Sequence, residues 1–200
     1  MRILIIRHGE STGNLNRIMQ GQGPFPLTEK GKIQAVLAAK EIKDNFDSIC
    51  CIYSSDLTRA KESTDIIYKI LGITKVTFDQ RLREHDCGFL EGKVFTEELK
   101  KKYLEPGFTD HDFCIPEGES RNEMTKRIKE SFEEIVSKTQ ENSTIMIITH
   151  GGVLGRLLKS ILNLLPEENT FANCKINLIE RKTKKDDWKL VIYDGKDYLG

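Results

Sequence analysis

The sequence lacks any apolar run long enough to cross a membrane. Its longest apolar stretches are only a few residues, whereas a membrane-spanning helix needs roughly 18 or more. The apolar start of the chain, residues 1–6, is followed at once by Arg7 and Glu10, which is unlike the apolar core of a signal peptide. We therefore expect no membrane partner and a cytoplasmic location.

Cysteine shows none of the patterns of a disulfide scaffold. The chain has five cysteines, an odd number, and no CxxC pair. Because disulfides belong to oxidising compartments, this pattern favours free thiols in a reducing one. Cys50 and Cys51 lie in a strand-like run and are interpreted as small core residues. Cys87 and Cys114 have no evident base partner in the sequence, which argues against a nucleophilic thiol.

An excess of charge of either sign is also absent. Lys and Arg together number 31, as do Asp and Glu. No overall field would attract the chain to nucleic acid or to an anionic membrane surface, so we expect no nucleic-acid partner. An anionic ligand would have to be bound by a local cluster of cations. Lys100, Lys101 and Lys102 are interpreted as a solvated helix face rather than as part of such a cluster.

Histidine is scarce, and its spacing does not fit a metal site. The four histidines stand at positions 8, 85, 111 and 150, with no i,i+4 pair and no HxH. Such pairs are a common source of metal ligands on one helix or strand. We therefore expect no metal. A site built from these histidines and nearby acids is the alternative chemical interpretation.

Two apolar runs end in the same way, with histidine followed by glycine. Residues 3–6 lead into Arg7-His8-Gly9, and residues 145–149 lead into His150-Gly151. Both runs have the pattern of short buried strands. In an open α/β sheet, ligands bind beyond the carboxyl ends of the strands. The sequence therefore predicts two imidazoles and an arginine at the ligand-binding edge of a sheet.

Helices and strands alternate along the chain, which is the pattern of an α/β protein with a largely parallel sheet. With no internal repeat or clear linker, 200 residues fit one domain, residues 1–200. Its irregular part is expected at about residues 86–117, where the aromatic residues are interpreted as packing for a lid. The other predicted elements are helix 28–43, strand 49–53, helix 56–71, strand 75–78, a short helix near 96–104, helix 121–136, helix 153–161 and strands 175–180 and 188–193.

Polar side chains mark the predicted helix starts. Thr28 is expected to cap the first long helix, and either Asp56 or Ser55 to cap the second. Ser120 and Glu123 match a capping box, in which the two residues satisfy each other's backbone donors.

Five residues would suit the chemistry of phosphate esters if they met at one sheet edge. Guanidinium groups match phosphate oxygens, and a histidine can attack phosphorus when one ring nitrogen is free and the other is held by an acceptor. Nearby arginines disfavour the imidazolium form, and a carboxylic acid can protonate the leaving oxygen. The five residues are Arg7, His8, Arg59, Glu84 and His150.

Six blocks of sequence, in order between residue 3 and about residue 158, resemble the histidine phosphatase superfamily, the phosphoglycerate mutase-like enzymes. They are Leu4-Ile5-Ile6-Arg7-His8-Gly9 with residues 10–14, residues 26–31 with Gln34-Ala35, residues 53–60, residues 82–84 with 88–92, residues 116–120, and Thr149-His150-Gly151-Gly152. The resemblance implies a three-layer α/β/α fold with a mostly parallel central sheet and a short lid insertion.

The resemblance also implies individual roles. His8 would be phosphorylated, and Glu84 would protonate the leaving oxygen before acting as base for the water that cleaves phosphohistidine. No metal and no organic cofactor is implied. Ser11 and Thr12 lie in the same loop and are further candidate contacts. The phosphoryl group would be bound by Arg7, Asn14, Gln22, Arg59, His150 and Gly151.

Three positions near these blocks depart from the family pattern or remain open. Pro24 stands where members often have Asp, which affects the loop rather than the chemistry. His85 stands beside the acid, where members have small residues, and is interpreted as either a substrate contact or a solvated loop residue. Arg83 is interpreted as the partner of Glu84 in a structural ion pair.

The length of the lid and its basic residues distinguish two activities of the family that the chain resembles. The mutases carry a longer insertion with basic residues for the glycerate carboxylate, whereas residues 85–118 here number 34 and include no arginine. Gly21-Gln22 stands where mutases typically have Gly-Trp. The resemblance therefore implies a phosphomonoesterase acting on a small phosphorylated metabolite, as a monomer or homodimer. The alternatives are a cofactor-dependent phosphoglycerate mutase and, in another class, an inactive phosphate-binding or scaffolding module.

Overall fold

The computed structural model describes residues 1–165 and 170–198, apart from the side chain of Phe108. Seven strands of this part form one mixed sheet in the order β3-β2-β4-β1-β5-β6-β7. The strands are β1 (Arg2–Arg7), β2 (Ile52–Ser54), β3 (Val76–Phe78), β4 (Thr144–Thr149), β5 (Ile176–Glu180), β6 (Lys189–Tyr193) and β7 (Lys196–Asp197). Strand β2 begins three residues later than the predicted strand 49–53.

The central strands of the sheet are parallel, and the last three are antiparallel. β1 pairs with β4, and β2 pairs with both β4 and β3, in parallel. β5 to β7 add an antiparallel edge next to β1. In the β1–β4 register Arg7 lies opposite Thr149, so both strands end at the same level. This register places His8 beside His150, as the two His-Gly endings predict.

Helices connect and cover the strands. They are α1 (Thr12–Leu15), α2 (Glu29–Asn45), α3 (Thr58–Leu71), α4 (Glu97–Leu99), α5 (Pro106–Thr109), α6 (Arg121–Lys138) and α7 (Gly151–Gly155). Helix α4 continues as a π-helical turn, Lys100–Leu104, and α7 continues as a longer π-helical segment, Arg156–Ile161. Single 3₁₀ turns lie at Gln80–Leu82 and Gly88–Leu90.

Both faces of the sheet are buried, which explains why β1 and β4 are continuously apolar. Alternate side chains of a strand point to opposite faces. One face packs against α6 and α7 through Ile3, Ile5, Ile145 and Ile147. The other face packs against α2 and α3 through Leu4, Ile6, Met146 and Ile148. The chain therefore has the expected three-layer α/β/α fold.

Two of the three predicted helix caps are confirmed. Thr28 Oγ1 accepts a hydrogen bond from Gly31 N at 3.0 Å, and Ser120 with Glu123 forms the predicted capping box. The predicted cap of α3 is wrong.

Helix α3 has Leu57 at its cap position and no side-chain cap. Ser55 Oγ accepts from Leu57 N at 3.3 Å, within the turn that precedes the helix. Asp56 instead accepts from Arg83 Nε at 2.6 Å. Arg83 is therefore part of a structural ion pair, but its partner is Asp56 and not Glu84. Because the helix begins at Thr58, neither Ser55 nor Asp56 stands at the cap position, and the Asp56 carboxylate is free to pair with Arg83.

The insertion has a small core of its own. Cys87, Leu90 and Ile115 are buried together, and the Phe89 ring packs edge-on against Tyr103 with the centroids 5.0 Å apart. Phe89, Tyr103 and Phe113 thus contribute packing, as predicted, whereas Phe95 is exposed.

Two further predictions concern the surface. Lys101 and Lys102 are exposed and Lys100 pairs with Glu97, so the lysine run is a solvated helix face. All five cysteines are free. Cys50 and Cys51 both precede β2, and Cys51 is buried whereas Cys50 is exposed, which corrects the assignment of Cys50 to the core. Within residues 1–165 and 170–198, no helix has both the length and the apolarity to cross a membrane.

Candidate active site

His8 follows β1 and is almost completely buried. Its Nδ1 lies 2.7 Å from the carbonyl oxygen of Gly9, and Arg59 Nε donates to its Nε2 at 3.3 Å. Because Nε2 accepts, Nδ1 must carry the ring proton and donate it to Gly9. The imidazole is thus fixed in the tautomer that leaves an Nε2 lone pair at the end of the strand.

The environment of His8 also favours its neutral form. Burial, and then the charges of Arg59 and Arg7, hold the pKa of His8 well below its usual value of 6.5. The pKa of His150 is lowered in the same direction, first by burial and then by Arg59, His8 and Arg7. Both rings are therefore uncharged at neutral pH.

His150 follows β4 and faces His8, with the ring centroids 5.1 Å apart. Its Nε2 lies 2.8 Å from Ser55 Oγ. Its Nδ1 is buried and has no hydrogen-bond partner among the described residues. In the tautomer in which the Ser55 hydroxyl donates to Nε2, Nδ1 carries the ring proton and can donate it to an anion.

Two arginines lie against the histidine pair. Arg59 is 1% exposed and donates to the carbonyls of Gly21 at 2.7 Å and Gly23 at 3.1 Å. Burial lowers its pKa to about 10, so the guanidinium stays charged. Arg7 donates from Nη1 to Phe171 O at 2.7 Å, while its Nε is buried with no partner in the described part of the chain.

The absence of a side chain at Gly152, in the first turn of α7, lets the acid approach. A Cβ on Gly151 would lie 3.5 Å from Arg7 Nε, and a Cβ on Gly152 would lie only 2.2 Å from Glu84 Oε1. Glu84 Oε2 accepts from Gly152 N at 3.0 Å, and Oε1 accepts from His85 N at 2.9 Å. The carboxyl group is therefore held by backbone donors from two segments.

A cavity of about 490 Å³ opens beside these groups. Arg7, Glu84 and Gly151 lie at one end of it, close to the buried histidines. The structure thus brings together the five residues predicted for phosphate chemistry. The remaining lining residues are His85, Tyr103, Leu104, Gly107, Phe113, Ile115, Arg121, Met124, Gly152, Gly155, Arg156, Lys159, Ser160, Thr170 and Phe171.

The other predicted phosphate contacts, Asn14, Ser11 and Gln22, make structural contacts of their own. Asn14 Oδ1 accepts from Ser11 N at 3.1 Å and so closes the capping box of α1. Ser11 Oγ is the other half of that box, so its oxygen has a structural contact of its own. Gln22 Nε2 lies 3.4 Å from Glu84 O, and Gln22 Oε1 accepts from Arg83 at 3.3 Å. Gln22 therefore contacts the loop that carries the acid and does not line the cavity.

His85 lines the cavity and is not a solvated loop residue. Its Nε2 is buried without a hydrogen-bond partner in residues 1–165 and 170–198. Burial is the largest of the effects that lower its pKa. In the same residues, no group of three or more His, Cys, Asp and Glu side chains is placed to hold a metal ion.

Sequence analysis missed the residue that fixes the acid loop. Arg127, on α6, donates to the carbonyls of Arg81, Arg83 and Glu84 at 2.8, 2.7 and 3.0 Å. It also forms an ion pair with Glu119. Nothing in the sequence ties Arg127 to this loop, because 43 positions separate it from Glu84.

Three cations of the cavity were also missed. They lie outside the lid interval, residues 85–118: Arg121 comes from α6, and Arg156 and Lys159 come from the helix after His150. Helical spacing from Gly152 to Arg156 could have indicated two of them. Asn173, which donates to His8 O at 2.8 Å, carried no such signal.

The chain has clear similarity to known proteins. The profile of the histidine phosphatase superfamily (branch 1) matches residues 3–194. The probable phosphoglycerate mutase GpmB of Erwinia tasmaniensis is 33% identical over 190 residues, covering 91% of this chain and 86% of that protein. Among solved structures, Bacillus stearothermophilus YhfR has a TM-score of 0.80 at 27% identity over 98% of both chains. A mycobacterial glucosyl-3-phosphoglycerate phosphatase with VO3 has a TM-score of 0.81 at 25% identity, covering 98% of this chain and 99% of that one. The chain therefore belongs to the histidine phosphatase superfamily.

Proposed function

We propose that this protein is a phosphomonoesterase that hydrolyses small phosphorylated metabolites through a phosphohistidine on His8. The observation that carries the proposal is the state of the His8 imidazole. Its Nδ1 is held by Gly9 O and its pKa is far below the ordinary value, so Nε2 keeps a lone pair for attack on phosphorus.

In the first step, buried donors bind the phosphoryl oxygens. Arg7 Nε and His150 Nδ1 have no partner in the described residues, and Arg59 Nε would exchange its bond to His8 Nε2 for one to phosphate. Nε2 of His8 then forms a bond to phosphorus as the ester P–O bond breaks. Glu84 donates its proton to the departing alkoxide, which leaves as an alcohol.

In the second step, water replaces His8. Glu84, now a carboxylate, accepts a proton from water, and the oxygen of that water attacks phosphorus as the P–N bond breaks. Inorganic phosphate leaves, His8 is again neutral and Glu84 is again protonated. The cycle consumes one ester and one water, and it needs no metal or organic cofactor to balance.

The relatives support the same class of chemistry. The mycobacterial neighbour is named as a phosphatase of a phosphorylated glycerate, and the Erwinia relative as a probable phosphoglycerate mutase. Both names describe proteins that act on phosphate esters of small metabolites.

The central test is trapping of phosphate on His8. Labelled phosphate ester is mixed with protein, which is then denatured rapidly in alkali and digested. We expect label on the peptide with His8, and we expect His8→Asn to lose the label and at least about 10³-fold in phosphate release. The exposed His111 supplies the control, because His111→Asn should keep both. A broad panel of esters with neither label nor release would favour the phosphate-binding module.

The second candidate function is the phosphoglycerate mutase. It is favoured by the name of the Erwinia relative and by the three cations in the cavity, which could bind a glycerate carboxylate. A mutase would pass the phosphoryl group from His8 to a second hydroxyl instead of to water. Interconversion of phosphoglycerates much faster than release of inorganic phosphate would replace the phosphatase proposal with this one.

A further inference from the structure

The cavity beside Glu84 has two unlike walls. One is mainly apolar and comes from the insertion, through Tyr103, Leu104, Phe113 and Ile115. The other is positively charged and comes from the helix after His150, through Arg156 and Lys159. Arg121, at the start of α6, adds a third cation beside Gly107 of the insertion. Among the described residues that line this cavity, Glu84 is the one acidic residue.

The charged wall lies at a distance from the phosphate end. Arg156 and Lys159 follow Gly151 by five and eight residues, which corresponds to about 8 and 12 Å along a helix. Gly151 itself lies against Arg7. A small ester whose phosphoryl group lies at Arg7 would therefore place its other end near these two cations.

The Arg156 side chain is directed along the helix, away from Gly151. Arg156 Nη1 donates to Ser160 Oγ at 3.2 Å, one turn farther along the helix. The Lys159 ammonium lies 5.8 Å from the centroid of the Phe171 ring. Arg121, Arg156 and Lys159 are all half-buried, which strengthens their interaction with an anion compared with fully exposed cations.

We propose that the preferred substrate carries a second anionic group, a carboxylate or a second phosphate, at the end remote from the ester phosphate. Arg156, Lys159 and Arg121 bind that group, while Arg7, Arg59 and His150 bind the ester phosphate. The inference rests on the proposed phosphatase function and adds the chemical class of its substrate. The inference is supported by the position of Arg121, Arg156 and Lys159 in the lining of the cavity.

The test uses aryl phosphates that differ only in the remote group. They are 4-carboxyphenyl phosphate, its neutral isostere 4-carbamoylphenyl phosphate, and benzene-1,4-diyl bisphosphate. We expect kcat/KM for each of the two doubly anionic esters to exceed that of the carbamoyl ester by about ten- to a hundredfold. Which of the two is preferred tells whether the remote group is a carboxylate or a phosphate.

Variants locate the effect. In R156Q/K159Q the ratio of kcat/KM values between carboxyl and carbamoyl esters should fall toward one. In K129Q, which removes a cation from the exposed side of α6, the ratio should stay at the wild-type value. A wild-type ratio near one, or a ratio that the double variant does not lower, would overturn the inference.

Binding separates this inference from the proposed function. Calorimetric titration of the His8→Asn variant with the same esters needs no turnover. Tighter binding of the doubly anionic esters without phosphate release by the wild type would support the anion site and reject the phosphatase. Phosphate release from all three esters at equal kcat/KM, with equal binding, would reject the anion site and keep the phosphatase.

Discussion

Gly152 sets how closely the acid approaches the helix after His150. A Cβ at this position would lie 2.2 Å from Glu84 Oε1 and 3.1 Å from its Cδ. We therefore expect Gly152→Ala to displace the carboxyl group from the leaving oxygen and to lower kcat by about a hundredfold, with a smaller effect on KM. Steady-state kinetics on a phosphate ester measures both constants.

Gly155 supplies the matched control in the same helix. A Cβ there would meet only Phe171 Cε2, at 3.9 Å, which is an ordinary contact. Gly155→Ala should therefore fold normally with kcat within a few-fold of wild type. Equal kcat values for the two alanine variants would show that the position of Glu84 does not depend on Gly152.

Single residues also show how far sequence reasoning reaches. His8 and His150 can be predicted from the sequence pattern alone, because each follows an apolar strand and the carboxyl ends of parallel strands meet at one edge of a sheet. Arg59 and Glu84 came from the family resemblance, since neither lies at a position that periodicity marks. The tautomer of His8 could not be predicted, because it depends on the Gly9 carbonyl and on an arginine 51 positions away.

At the level of elements, α6 holds the acid loop in place. Arg127 donates to three backbone carbonyls of this loop and pairs with Glu119. Glu119 Oε1 also accepts from Asp86 N at 3.0 Å. Lysine keeps the charge but lacks the planar fork of donors. We expect Arg127→Lys to lower the free energy of unfolding by about 1–3 kcal/mol and kcat by about tenfold, with KM changed less.

Denaturant titration and steady-state kinetics measure these two effects. Lys129→Arg, two residues along α6 and exposed, is the control and should change neither quantity. A loss of stability with kcat unaltered would mean that Arg127 supports the fold without positioning Glu84.

Elements differ in how well their sequence defines them. The capping box of α6 was correct, because Ser120 and Glu123 satisfy each other locally. The cap of α3 was wrong, because Asp56 is taken by Arg83, 27 positions away. The segment Arg156–Ile161 is π-helical, and no local sequence pattern indicated this. Local contacts can thus be predicted, whereas a distant partner overrides them.

For the whole molecule, the buried histidines link stability to pH. The folded-state pKa values of His8 and His150 lie below 6.5, the value expected in the unfolded chain. Below pH 6.5 the unfolded chain therefore binds more protons than the folded one. The free energy of unfolding should fall as the pH is lowered from 7 toward 5, by up to about 1.4 kcal/mol per pH unit for each histidine.

Urea titrations across this pH range measure the slope. His150→Gln removes one of the two buried imidazoles and should reduce the slope, whereas the exposed His111→Gln should leave it as in the wild type. A free energy of unfolding that stays constant from pH 7 to pH 5 would contradict the neutral, buried state of both rings.

The order and pairing of the sheet were only partly predictable. Alternating helices and strands indicated a parallel α/β sheet, and the family resemblance implied three layers. The expected terminal hairpin corresponds to β5 and β6, whereas β7 was not predicted. The placement of β5 beside β1 follows from pairings across 170 residues or more. Such pairings depend on which edges the helices leave uncovered, which no local pattern encodes.

The insertion with its own small core has a consequence for how such a protein can diversify. Its apolar wall is supported by Cys87, Leu90 and Ile115, whereas Arg7 and His8 lie at the end of a strand of the main sheet. The apolar wall can therefore vary in shape while Cys87, Leu90 and Ile115 keep the insertion folded and His8 stays at the end of β1.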